Sequence, residues 1–214
     1  MKRLSLYLFL ILFTLQTSAL VQDEVEIDTL FGVKIFDDIE KFANKDSGMP
    51  QDNRPGTFFF SDEVINIERD SKFDSFYIRT DNKYKVINIT GKKFFTEKHS
   101  SFNNNCLKDK IKMVEEMSLF FDSSKEKFVQ YYWHNQEFKS IWDESQLIYN
   151  DESNKLVISI HCNYRKAKEN ILAELGISWV TYDYFEKHVK GLWKEIKQFD
   201  DEFIKSFLIV AENI

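Results

Sequence analysis

The chain has 214 residues, with 29 Lys and Arg against 35 Asp and Glu, so its formal net charge is −6. A chain this acidic is repelled by phosphate backbones, and without a basic cluster it is not expected to bind nucleic acid. Hydrophobic residues make up 43%, while Gly (6) and Pro (2) are scarce, a balance that excludes disorder or a low-complexity stalk.

The N-terminus, MKRLSLYLFLILFTLQTSAL, places Lys2 and Arg3 before an apolar run from Leu4 to Leu15, then small residues at Thr17-Ser18-Ala19. That order predicts a secretory signal peptide over 1–19, leaving 20–214 as a single domain. The run is short of the ~20 apolar residues that cross a bilayer, so no permanent span is expected after cleavage. Lys2 and Arg3 leave with the leader and take the net charge from −6 to −8. The expected location is the periplasm or the exterior of the cell.

Beyond the leader, residues 36–43 read as a short helix with acidic residues in its first turn. Both prolines fall in SGMPQDNRPG (47–56), the clearest loop in the chain. TFFFSDEVINIERD then alternates as a strand would, and FDSFYIRT and KYKVINITGKKFF flank the polar turn Asp81-Asn82-Lys83 as an antiparallel hairpin. Asn88-Ile89-Thr90 is a glycosylation sequon, meaningful only in a eukaryotic secretory pathway.

A helix is predicted from about Asn105, as N-cap, to Phe121. Cys106, Leu107, Ile111, Met113, Val114, Met117, Phe120 and Phe121 form its apolar stripe, opposite Lys108, Lys112, Glu115 and Glu116. A second β-rich block follows: FVQYYWH, FKSIW, SQLIYN and KLVISIHC, with residues 150–154 as a hairpin turn and ISWVTYDY (177–184) as a further strand. From near Phe185 a second long helix is expected, because Val189, Leu192, Ile196, Phe199, Phe203 and Val210 recur in mostly alternating steps of three and four. The predicted fold is therefore α+β: an antiparallel sheet with two long amphipathic helices packed on it.

The stretch KLVISIHCNYRK sets His161 beside Cys162. On a strand these neighbours point to opposite faces, so a thiolate–imidazole pair fails on geometry. Leu156, Ile158, Ile160 and Cys162 share the apolar face, while Val157, Ser159 and His161 share the other, where His161 is expected to be partly exposed. Cys106 and Cys162 are the only cysteines, and both are expected at the helix–sheet interface of an exported protein; this favours a Cys106–Cys162 disulfide.

No catalytic motif stands out. The histidines lack metal-ligand spacing, the acidic groups lack an EF-hand pattern, and there is neither a nucleophile elbow nor a phosphate-binding glycine loop. No metal or cofactor is expected. The densest unusual feature is FVQYYWHNQEFKSIW, in which Tyr131 and Trp133, with Trp142 nearby, could form a platform for a polar ligand or simply fill the core of a two-sided sheet. The expected function is that of an exported, soluble, non-catalytic protein binding an envelope component or a partner protein. The alternative is a secreted hydrolase or carbohydrate-binding protein using the aromatic region 128–142. Monomer and homodimer both remain open.

Overall fold

The computed structural model describes residues 29–119, 121, 127–135, 140–150, 155–167, 170–188, 194–195 and 204. The signal-peptide expectation over 1–19 lies outside them. No helix among the described residues is long and apolar enough to cross a membrane.

The structure is mostly antiparallel β-sheet. Two-residue strands β1 (Thr29–Leu30) and β2 (Val33–Lys34) pair with each other, and all remaining described strands join one nine-stranded sheet. Its first half is a meander of β3 (Met49–Pro50), β4 (Phe58–Ser61), β5 (Ser75–Thr80) and β6 (Val86–Lys98). Helix α1 (Asn105–Ser118) then carries the chain to β7 (Val129–Asn135). A second meander returns through β8 (Ser140–Asn150), β9 (Lys155–Ala167) and β10 (Asn170–Thr181), and β10 pairs with β6 to fuse the halves. Helix α2 (Tyr182–His188) follows, and β11 (Lys194–Glu195) pairs with the outer edge of β7.

This arrangement corrects the predicted α+β fold with two long helices on the sheet. α1 forms close to where it was expected, but the second helix amounts to seven residues, Tyr182–His188, before Lys194–Glu195 is already a strand. The three-and-four spacing of apolar residues registers which side chains are oily. It does not register that the open edge of β7 offers backbone partners to Lys194 and Glu195. The remainder of that expectation, over 189–193, 196–203 and 205–214, lies outside the described residues, except that Ile204 is helical and buried.

Smaller differences have local causes. The helix expected over 36–43 is a single 3-10 turn, Ile39–Lys41, capped by the Asp38 carboxylate on the Glu40 amide. Ser140-Ile141-Trp142, the described part of FKSIW, and SQLIYN form one continuous strand, β8, whose pattern the polar residues Asp143, Glu144 and Ser145 had interrupted. Beyond Ser61 the alternating VINIE segment leaves the sheet, although Ile65 is buried. The hairpin around Asp81 forms as expected: the Asp81 carboxylate accepts from the Lys83 and Lys85 amides, and Tyr84 takes a left-handed φ of 61°.

The start of α1 is set by Asn104 rather than Asn105. Asn104 adopts φ 49°, a conformation that asparagine tolerates, and its side chain caps the Leu107 amide. The buried Glu97 carboxylate, at the end of β6, accepts from the Asn103, Asn104 and Asn105 amides at 2.7, 3.1 and 2.8 Å. These are amides that the helix itself leaves unpaired, and a negative charge is favoured there.

The sheet has two unlike faces. The one under α1 is the main core: Leu156, Ile158, Ile160, Cys162 and Tyr164 of β9 pair across to Thr181, Trp179, Ile177, Leu175 and Ala173 of β10, all buried. The Cys106 and Cys162 side chains lie here at disulfide distance, with Cα atoms 5.9 Å apart. Lys110, one turn after Cys106, is buried in the same stripe, while Ile111, expected to be apolar-facing, is half exposed. At one end of the opposite face, Tyr184 and Phe185 of α2 pack on Ile87, Val157 and Val180.

Candidate functional site

The site is built on the sheet face turned away from α1. Period-two alternation puts Ser159, His161 and Asn163 of β9 on this face, and register adds their cross-strand partners. Glu144 of β8 and Gly176 of β10 flank His161, while Trp142 and Glu174 flank Asn163. Beyond β8, Trp133 of β7 stands opposite Trp142, and Tyr131 stands opposite Glu144. On the other side Lys92 of β6 stands opposite Gly176, and Phe94 stands opposite Glu174.

This face is polar yet largely shielded. Glu144, Gln146, Ser159, His161, Asn163 and Glu174 are all buried, whereas Tyr131, Trp133 and Trp142 are half-buried and Phe94 and Arg165 are exposed. The expectation that His161 would be partly exposed is therefore wrong: it is 5% exposed. Its ring stacks on Trp142, with centroids 4.3 Å apart and planes 23° apart. Gly176 makes room for it, since a Cβ there would run into the imidazole. A strand pattern assigns a residue to a face, but it cannot say that a polar face is covered.

The charged groups are arranged in two sets. Trp133 donates its indole N–H to Glu144 Oε2 at 2.9 Å, and the Ser159 hydroxyl donates to Glu144 Oε1. Glu174 lies 3.0 Å from the Lys92 ammonium, 3.9 Å from the Arg165 guanidinium and 4.0 Å from His161 Nε2. Burial opposes the charge on Glu174, but the His161 imidazole and the Lys92 ammonium outweigh it and hold the carboxyl at about 2. The buried atoms on this face with no hydrogen-bond partner among the described residues include Gln146 Nε2, His161 Nε2 and Asn163 Oδ1. Buried polar atoms are ordinarily satisfied, so such a cluster calls for a physical reason.

The three residues of the suggested platform converge. Tyr131 and Trp133 stack with centroids 5.4 Å apart and planes 17° apart, and Trp142 joins them from the next strand. The side chains of His134 and Asn135 lie outside the described residues, as does all of Gln136. Sequence reading missed Glu174 and the first half of β10, although Ile171, Ala173, Leu175, Ile177 and Trp179 alternate there with Leu172, Glu174, Gly176 and Ser178. Following that period-two pattern upstream would have found them.

Ser159, His161 and Glu174 superficially resemble a nucleophile, base and acid, with Ser159 Oγ 3.4 Å from His161 Nδ1. However, the serine proton is committed to Glu144, and Ser159 sits mid-strand, its backbone paired between Gln146 and Ser178. Amides spent in the ladders cannot form an oxyanion hole. No group of three or more potential metal ligands occurs among the described residues.

Two other features carry less chemistry. Asn88 of the sequon is buried, hydrogen-bonded by Arg79 and directed to the Trp179 carbonyl, so it is not presented as a surface acceptor in the folded chain. A cleft of about 580 Å³ beside α2 is lined by Lys155, Lys187, Asp81 and Asp183 among others, a mixed set without a focused charge.

No protein-family model matches the sequence, and no curated protein matches it either.

Proposed function

We propose that this protein is an exported, non-catalytic binding protein of the periplasm or the cell exterior, and that its ligand docks on the polar sheet face beside Tyr131, Trp133 and Trp142. The observation that carries this reading is the coincidence, on one face, of three half-buried aromatic rings with buried polar atoms that lack partners among the described residues. Rings and sparse polar groups together are the ordinary lining of a ligand site. The Cys106–Cys162 pair is compatible with an oxidising compartment, which favours export. An envelope component suits a site of this kind better than a flat protein partner, because the polar groups are more buried than the rings.

The test is retention of material from the envelope fraction of the native host by the immobilised mature protein. Wild type should retain a component that folded Trp142→Ala and Tyr131→Ala variants lose. Equal retention by all three would remove the site from the function. Turnover of any envelope substrate, abolished by Glu144→Gln or Glu174→Gln, would overturn the non-catalytic reading.

A further inference from the structure

The register carries the site further than its aromatic end. Trp133, Trp142, Asn163, Glu174 and Phe94 are successive direct partners on five neighbouring strands, β7, β8, β9, β10 and β6. Strands about 4.8 Å apart make this row about 19 Å long, running perpendicular to the chain direction. Rings stand at both ends: Trp133 and Trp142 half-buried at one, and Phe94, 50% exposed, at the other. Between them lies Asn163, whose buried Oδ1 has no hydrogen-bond partner among the described residues, beside His161, whose Nε2 is in the same condition.

The chemistry of the row narrows its occupant. The charges along the row cancel in sum, Lys92 and Arg165 against Glu174 and Glu144, and each carboxylate already has its own donors, so a charged ligand finds no net charge to neutralise. Electron-rich ring faces attract the slightly positive C–H faces of a sugar, and buried amide and imidazole atoms suit its hydroxyls. A single ring cannot touch both ends of the row. An extended peptide would be expected on a free strand edge, where backbone groups are available, and here the backbone is spent in ladders.

We propose that the row Trp133–Trp142–Asn163–Glu174–Phe94 binds a neutral oligosaccharide lying across the strands, its rings stacked on the tryptophans and on Phe94 and its hydroxyls bonded to Asn163. This rests on the binding-site reading above and adds the ligand class, its direction and the Phe94 end.

A glycan array probed with the full mature protein, followed by tryptophan-fluorescence titration with chitotetraose, cellotetraose and maltotetraose and their disaccharides, tests it. The expected result is binding of a neutral tetrasaccharide, weakened about tenfold by Phe94→Ala while the corresponding disaccharide is unaffected. Asn163→Ala should weaken both lengths, and because Phe94 is exposed its variant should fold normally. An array blank for neutral glycans, selective binding of anionic glycans, or binding of extended peptides instead would each overturn the inference. If Trp142→Ala still abolishes capture of native envelope material under those outcomes, the site stands and only its assignment to oligosaccharide falls. If capture is also indifferent to Trp142, both fall together.

Discussion

Asp143 stands directly opposite Cys162 across the β8–β9 ladder, and both side chains reach the same helix. Cys162 meets Cys106, and Asp143 meets Lys110, one turn further along α1. A covalent tie and an ionic tie therefore sit side by side in the core, each joining a helix residue to a strand residue. The disulfide spans a sequence separation of 56. Removing it releases loop-closure entropy in the unfolded chain worth about 4 kcal/mol. The Cys106→Ala/Cys162→Ala variant should lose about that much in urea denaturation at unchanged secondary structure. A loss below about 1 kcal/mol would mean that other contacts already confine the loop in the unfolded state.

The ionic tie has a different energetic character. Lys110 and Asp143 are each 1% exposed, and Gln130 also donates to Asp143. Replacing Lys110 by Met strands a buried carboxylate and should cost about 3–5 kcal/mol, whereas Lys110→Met with Asp143→Leu should recover most of it. Burial pushes the Lys110 ammonium below its usual 10.5, against the raising effect of Asp143. Because the unfolded chain then holds the proton more tightly, this group's contribution to stability rises as pH climbs from the depressed value toward 10.5. The stability difference between wild type and Lys110→Met, followed by denaturation across that alkaline window, reads the effect directly.

The two ties also show what the sequence makes legible. Cys106 and Cys162 could be assigned to one interface because each lies on an apolar repeat, of 3.6 residues in α1 and 2 in β9. Lys110 occupies the same helical repeat as Cys106, at i+4, yet a lysine reads as solvent-facing until its partner is seen. The polar face hid for a similar reason: His161 and Glu174 alternate correctly with apolar neighbours, which names their face but not its burial, while Glu144 sits in the polar run Asp143-Glu144-Ser145 that breaks the alternation. The second long helix failed because apolar spacing alone carries no information about an open strand edge waiting for backbone partners.

Gly176 offers a local test of how closely that face is packed. It pairs directly with His161, and a Cβ at Gly176 would collide with the imidazole ring, which is itself pinned against Trp142. Gly176→Ala should therefore destabilise the protein by about 1–3 kcal/mol, as overpacking does. Adding His161→Ala should restore part of the loss, since the ring is the obstacle. Thermal melts of the single and double variants measure this, and equal losses in both would locate the strain in the β10 backbone instead.

Glu174 makes the acid stability of the site predictable. Its carboxyl is held at about 2 in the folded protein, against 4.5 for the ordinary group, and its side chain is 7% exposed, so solvent screens the interaction little. A depressed folded value means that the unfolded chain takes up the proton first. The stabilisation is complete above 4.5 and is lost as pH falls from there to about 2, amounting to roughly 3 kcal/mol. Guanidinium denaturation at a series of acid pH values should show this decline in wild type and a shallower one in Glu174→Gln. The difference should be confined to that window, because the other groups titrating there are common to both proteins. Parallel curves would mean that Lys92, Arg165 and His161 do not hold the carboxylate as the geometry implies, and the charge balance on which a neutral ligand depends would have to be redrawn.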